Sequence, residues 1–180
     1  MARKWVFRFQ EGRADQRELL GGKGANLAEM TNLGLPVPPG FTVSTEACNA
    51  YIAEGGSMPE GLWDQIVAAM KQLEGERRFG DPDHPLLVSV RSGARFSMPG
   101  MMDTVLNLGL NRKTVRGLAE ITGDTRFALD SLRRLIQIFG SVVLGISSSS
   151  FSDALEHACD EAGVVDDGSL TPEALEQLTE

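Results

Sequence analysis

Seven of the eight prolines in this chain of 180 residues stand at or before residue 99, and only Pro172 lies beyond. Proline locks φ near about −65°, removes a backbone donor and pushes the residue before it out of the helical region. Prolines at 36, 38, 39, 59, 82, 85 and 99 therefore cut the first part of the chain into short elements joined by extended turns. From Arg112 onward apolar residues recur almost throughout with helical period. The contrast predicts an α+β part over residues 1–111 and a mainly helical part over 112–180, with the boundary near Asn111–Arg112.

Within the first part, Trp5, Phe7 and Phe9 alternate with Val6 and Arg8, the period of a strand over 4–9. A polar stretch follows, then Leu19-Leu20-Gly21-Gly22-Lys23-Gly24 and a helix from Ala25 to Leu33 with Gly34 as its stop. Phe41-Thr42-Val43 reads as a short strand, and Ser44 as the cap of a helix over Thr45–Glu54. Leu62, Ile66, Met70 and Leu73, widened by Trp63 and Val67, predict the buried stripe of a helix from Pro59 to Arg77. After the turn residues Asp81–Pro85, the run Leu86–Val90 reads as a strand buried on both faces, with Arg91 at its carboxyl end. In the second part Phe127, Leu132, Leu135, Ile136, Phe139, Val142 and Val143 form the stripe of a long helix over 125–144, capped by Asp124 or Thr125. Ser147–Ser150 reads as a loop, 151–162 as an acidic helix, and Thr171-Pro172-Glu173 as a helix start. The chain stops at Glu180 without a stop signal, which reads as a cut through a larger protein.

Charge divides at the same place. Residues 1–111 carry eleven Lys and Arg against thirteen Asp and Glu, whereas 112–180 carry six against twelve; from Ser147 on there are nine carboxylates and no Lys or Arg. The net charge of −8 disfavours a nucleic-acid binder, and the first part is close to neutral. With 42% hydrophobic and 23% charged residues the chain is of ordinary globular composition, not fibrous or disordered. No apolar run approaches the roughly 18–20 residues of a membrane span, and MARKWVFRFQ is too charged for a signal peptide. Cys48 and Cys159, far apart and outside any Cys/His cluster, read as reduced, buried or half-buried thiols of a cytoplasmic protein, with no metal site.

Two stretches can carry chemistry. Gly21-Gly22-Lys23-Gly24 opens a helix, where glycines let backbone N–H groups face a ligand, the helix end adds positive potential and lysine supplies a mobile cation for phosphate. It is not a Walker loop, since Arg17 and Gly24 occupy positions that need Gly and Ser or Thr, nor a dinucleotide fingerprint, since Leu27 replaces the third glycine. A glycine-bearing turn with a solvated lysine is the alternative. The second stretch, Arg91-Ser92-Gly93-Ala94-Arg95-Phe96-Ser97-Met98-Pro99-Gly100-Met101-Met102-Asp103-Thr104, follows a strand directly, and arginine there offers a planar fork of donors to phosphate oxygens. Its hydroxyls, glycines and Met-Pro-Gly-Met-Met tip suit a loop that closes over phosphates, and an ordinary loop with methionines packed locally is the alternative.

These stretches, with Lys4-Trp5-Val6-Phe7, Pro38-Pro39-Gly40-Phe41-Thr42-Val43-Ser44-Thr45-Glu46-Ala47 and Val105–Asn111, resemble the amino-terminal ATP-binding part of the pyruvate phosphate dikinases over residues 4–145. The wording Ser97–Thr104 separates them from phosphoenolpyruvate synthase. The resemblance implies an ATP-grasp-like lobe in an enzyme that converts ATP, phosphate and pyruvate to AMP, pyrophosphate and phosphoenolpyruvate through a phosphorylated histidine on a swivelling domain. It implies phosphate-binding, catalytic roles for Lys23 and Arg91, and nucleotide-binding roles for Gly22, Ser92, Gly100, Asp103 and Thr104. Mg²⁺ is implied for the whole enzyme, on carboxylates not expected here, as are further carboxyl-terminal domains and a homodimer. His84 and His157 read as surface residues rather than phosphoryl carriers. The alternatives are a phosphoenolpyruvate synthase-like lobe and a non-catalytic module that docks a basic partner through its acidic end. On the first reading this chain alone is at most a weak ATP binder.

Overall fold

A computed structural model of the chain describes residues 3–93 and 104–180. Among the described residues the chain forms two compact units, one built on residues 3–75 and one on residues 76–91 and 104–180. The elements form a mixed α+β structure with two small antiparallel sheets among the described residues.

In the first unit, β1 (Val6–Arg8) pairs antiparallel with β2 (Phe41–Val43), Val6 opposite Val43 and Arg8 opposite Phe41. The strand is shorter than the alternation of Trp5, Phe7 and Phe9 predicts, because Phe9–Glu11 close into a 3-10 turn. Trp5, Val6, Ala47, Leu62 and Ala69 form the core, with Phe41, Ala50 and Ile66 packed against it. Helix α2 (Thr45–Ala53) starts as expected at Ser44, whose buried Oγ accepts the Ala47 N–H. Helix α3 (Leu62–Leu73) is shorter than the predicted 59–77, entered through Gly61 at φ +74°. Its Gln65 serves the edge of β1: Oε1 accepts the Trp5 and Val6 N–H groups at 2.7 and 3.2 Å, and Nε2 donates to the Arg3 carbonyl. Trp63, expected within the buried stripe, is 60% exposed, because Leu62, Ile66 and Ala69 already supply the face that meets the core.

The second unit contains β3 (Val88–Arg91), β4 (Thr104–Leu108), α4 (Thr114–Thr122), α5 (Thr125–Val142), α6 (Ser148–Ala162) and α7 (Pro172–Leu178). Strand β3 is not buried on both faces: Ser89, Val90 and Arg91 are exposed, since its sheet has only one other strand among the described residues. Helix α6 begins at Ser148 with Ser147 as its cap, so the predicted serine loop is mostly the first turn of a helix. The caps of α5 and α7 are Asp124 and Thr171, whose side chains accept the N–H groups of Phe127 and Ala174. Cys159 is buried, but Cys48 is exposed. No helix among the described residues is long and apolar enough to cross a membrane.

The units part at Gly75–Glu76, not at the composition boundary Asn111–Arg112. The reason is packing. Val105 and Leu110 belong to the same core as Leu118, Leu129, Leu132, Leu170 and Leu175, and Leu87 and Leu108 pack on it. The β3–β4 pair is therefore part of the helical unit. Segment 76–91 is held there by Gly117 of α4, which lies against the backbone carbonyls of Pro82 and Asp83; a Cβ at Gly117 would stand 2.8 Å from the Asp83 carbonyl oxygen.

The buried guanidinium of Arg133 ties α5 to the loop before α7. It contacts Asp130 at 2.6 Å, Asp167 at 3.1 Å and Gln137 at 3.2 Å. Arg126 donates to the Asp167 and Leu170 carbonyls, which closes Leu170 and Leu175 into the core. Of the long stripe on α5, Leu132 and Leu135 are buried, whereas Phe127, Ile136, Phe139, Val142 and Val143 are between 37% and 53% exposed.

Three measurements follow from this packing. Gly117→Ala forces a methyl into backbone and is expected to destabilise the chain by about 1–3 kcal/mol in urea unfolding. Arg133→Ala takes the buried guanidinium away from Asp130, Asp167 and Gln137, but Arg134 still donates to Asp130 at 2.7 Å, so the expected cost is about 2 kcal/mol, above the effect of Asp167→Asn at the more exposed partner. Burial pushes the Glu11 carboxyl up, but hydrogen bonds from Lys4 and from the Arg8 amide and guanidinium outweigh it and hold the group at about 2, below its ordinary 4.5. That stabilisation is present above the ordinary value and is lost as pH falls toward 2, so Glu11→Gln should flatten the acid limb of the stability profile in urea titrations at stepped pH.

Candidate functional site

The predicted phosphate-binding residues fall in both units, and each group is described by itself. In the first unit the glycine-rich stretch lies inside α1 (Arg17–Asn32), which starts before the predicted Ala25. The helix is not continuous. Gly21 has φ +68° and ψ 169°, values open to glycine and costly for residues bearing a Cβ, so the chain turns there and a second helical segment starts at Gly22. The expected junction of glycine-rich loop and helix thus takes the form of a one-residue break between two helical pieces. Gly22 and Lys23 are the first residues of the second piece, where backbone N–H groups lack preceding carbonyl partners and the helix dipole is positive.

Two contacts define that end. Gly24 is buried against β2: a Cβ there would meet Thr42 Cγ2 at 2.8 Å and Thr42 Oγ1 at 2.9 Å. Glycine is needed at 24 for close packing, a role the sequence reading left unassigned although the Gly-Lys-Gly spacing could have signalled it. Arg17, one turn before the break, reaches over it to Asn26 Oδ1 at 3.3 Å and brings a second cation to this end. Lys23 is half-buried and, among the described residues, its ammonium has no hydrogen-bond or ion-pair partner.

In the second unit, Arg91 and Thr104 are direct partners across β3 and β4. Cross-strand partners of an antiparallel pair point to the same face, so the guanidinium and the hydroxyl flank one position. The two steps of β3 from Val88 to Val90 are matched by three steps of β4 from Leu108 to Val105, so β4 carries a bulge. Asn107, at φ +59°, supplies it, and its side-chain amide donates to the Ser131 carbonyl of α5 at 3.2 Å. The bulge anchors the strand end that presents Thr104. Arg91 is exposed, and among the described residues its guanidinium has no hydrogen-bond or ion-pair partner. Ser92 follows it, exposed. Gly100 and Asp103, assigned to the same site from sequence, lie outside the described residues.

His84 sits exposed in the Asp81 turn, and His157 pairs on the surface of α6 with Glu161 at 3.5 Å, as expected of surface residues. Among the described residues no group of three or more His, Cys, Asp or Glu side chains is placed to hold a metal ion.

Residues 17–57, from the start of α1 to just past α2, match the family model described as the pyruvate phosphate dikinase AMP/ATP-binding domain. The whole chain is similar to pyruvate, phosphate dikinase of Clostridium symbiosum, 53% identical over 98% of this chain, and to that of Rhizobium meliloti, 58% identical over 85%. The chloroplastic pyruvate, phosphate dikinase of Flaveria trinervia is 54% identical over 99% of this chain. The chain spans about a fifth of the length of these relatives, 20%, 18% and 19% respectively. Their shared name favours the dikinase over the phosphoenolpyruvate synthase-like alternative. With over half its residues identical to these relatives across almost all of its length, the chain belongs to the pyruvate, phosphate dikinase family.

Proposed function

We propose that this chain supplies one part of the ATP-binding apparatus of a pyruvate, phosphate dikinase, with Lys23 and Arg91 as its two phosphate-directed cations. The observation that carries the reading is the break at Gly21, which starts a helix at Gly22-Lys23 inside the stretch matching an AMP/ATP-binding domain. A helix beginning at a glycine, followed by a lysine without an internal partner, is suited to an anion with several oxygens. Arg91 offers the same class of ligand a planar fork of donors, with Thr104 beside it as a hydroxyl partner. Gly22, Ser92, Gly100 and Asp103 belong to the same proposal as nucleotide-contacting residues.

The reaction proposed is that of the relatives' name: ATP, phosphate and pyruvate give AMP, pyrophosphate and phosphoenolpyruvate. Phosphoryl transfer is catalysed mainly by positioning and by fixed charge opposite the transferring group. Lys23 and Arg91 would hold the phosphates in place and neutralise the charge that develops as the phosphoryl group leaves. The histidine that accepts the group, the pyruvate site and the Mg²⁺ carboxylates are proposed to lie in segments of the relatives that this chain does not span. The ATP-grasp-like architecture of the complete domain and its assembly as a homodimer belong to the same proposal.

The test is made in an enzyme of full family length bearing these residues. Arg91→Ala should reduce formation of the phosphoenzyme from ATP by about a thousandfold and Lys23→Ala by a hundredfold or more, of the order found when a single charge-stabilising donor is removed. Phosphate exchange between phosphoenolpyruvate and the remote histidine should persist in both. Loss of both partial reactions would overturn the assignment of these residues to the ATP half.

A further inference from the structure

The break in α1 has a partner on the other side of the unit. In a continuous helix the carbonyl of Glu18 would accept the N–H of Gly22, four residues on. Instead the hydroxyl of Thr45 donates to the Glu18 carbonyl in a short hydrogen bond. Thr45 is the first residue of α2, and its place is fixed: the buried Ser44 before it donates its N–H to the Trp5 carbonyl at 2.9 Å and caps the helix through Ala47. On the far side of the break, Gly24 is set against Thr42 of β2. The two pieces of α1 are thus held from one strand-to-helix connection, by Thr45 before the break and by Thr42 behind it.

We infer that Thr45 is a positioning residue for the nucleotide site: its hydroxyl takes the Glu18 carbonyl in place of the Gly22 N–H and so keeps that amide, and the helix start carrying Lys23, directed at a phosphate. The inference rests on the proposed ATP-binding role of this end. Glycine at position 21 permits the break but does not require it, since glycine also adopts helical angles. A donor that meets the Glu18 carbonyl from outside the helix is what favours the broken form over the continuous one, because that carbonyl then keeps a hydrogen bond when the Gly22 N–H turns away. Thr45 meets that need from an element outside the helix. Its role is exerted through backbone geometry and involves no contact with substrate.

The test is amide hydrogen exchange by NMR on the 180-residue chain, with Thr45→Val removing the hydroxyl at nearly constant shape and Thr45→Ser keeping it. In the unmodified chain the Gly22 amide should exchange at least tenfold faster than that of Ala28, deep in the second helical piece; a protected Gly22 amide overturns the inference without recourse to a variant. Thr45→Val should slow exchange at Gly22 at least tenfold as the helix closes onto Glu18, and Thr45→Ser should match the unmodified chain. Unchanged exchange at Gly22 in Thr45→Val overturns it too. Chemical shifts are then followed as ATP is added. Movement of the Gly22 and Lys23 amides in the unmodified chain and in Thr45→Ser, with at least tenfold weaker response in Thr45→Val, supports the positioning role. Movement of these amides by ATP to the same extent in all three overturns it. If the exchange pattern holds but those amides ignore ATP in every form, the ATP-binding reading of this end fails while Thr45 remains the residue that holds the break.

Discussion

The left-handed backbone at Gly21 is the constraint around which the first unit is arranged. A helix running unbroken from Arg17 to Asn32 would bury its amides in its own hydrogen bonds and present no end near Lys23. One residue at φ +68° converts the same run of sequence into two pieces and creates an amino terminus in mid-helix. The small sheet is placed to serve that end: β2 receives Gly24 through Thr42, and the connection after β2 delivers the Thr45 hydroxyl. The core of Trp5, Val6 and Ala47 holds this connection, so apolar burial at one place sets backbone geometry at another.

The second unit solves a different problem, presenting Arg91 at the end of a two-stranded sheet that has little core of its own. An isolated pair of strands is marginal in water and needs a packed face. Here Val105 is buried among leucines of α4, α5 and α7, and Asn107 bonds to the backbone of α5. Arg133, held by Asp130 of its own helix, in turn locks α5 to the approach to α7 through Asp167. The exposed guanidinium of Arg91 therefore stands on a strand whose partner is anchored into a helical core.

Much of the local structure was legible in the sequence because local chemistry decides it. Ser44, Asp124 and Thr171 cap the helices they were expected to cap, since a side-chain oxygen finds the nearest free amides whatever lies farther away. Phe41–Val43 is a strand as expected. The length of β1 and the burial of Trp63, Phe127 and Val90 were not legible, because periodicity shows that a face is apolar but not how much of it another element covers. Composition placed the boundary at Asn111, whereas packing placed it at Gly75: proline and charge count what the chain contains, and a unit is defined by which side chains share a core.

The candidate site divides along the same line. By itself the sequence determined the residue types, two glycines before a lysine and an arginine after a β-branched run, together with the resemblance they carry and the kind of anion they suit. Tertiary structure alone decided that α1 breaks at Gly21 rather than continuing, that Gly24 must lack a side chain because Thr42 stands behind it, and that Arg91 is paired with Thr104. The physical reason is that glycine permits both helical and left-handed backbone. The choice between them rests on a hydroxyl from Thr45, 27 residues from the carbonyl it meets, and that pairing exists only once the chain has folded.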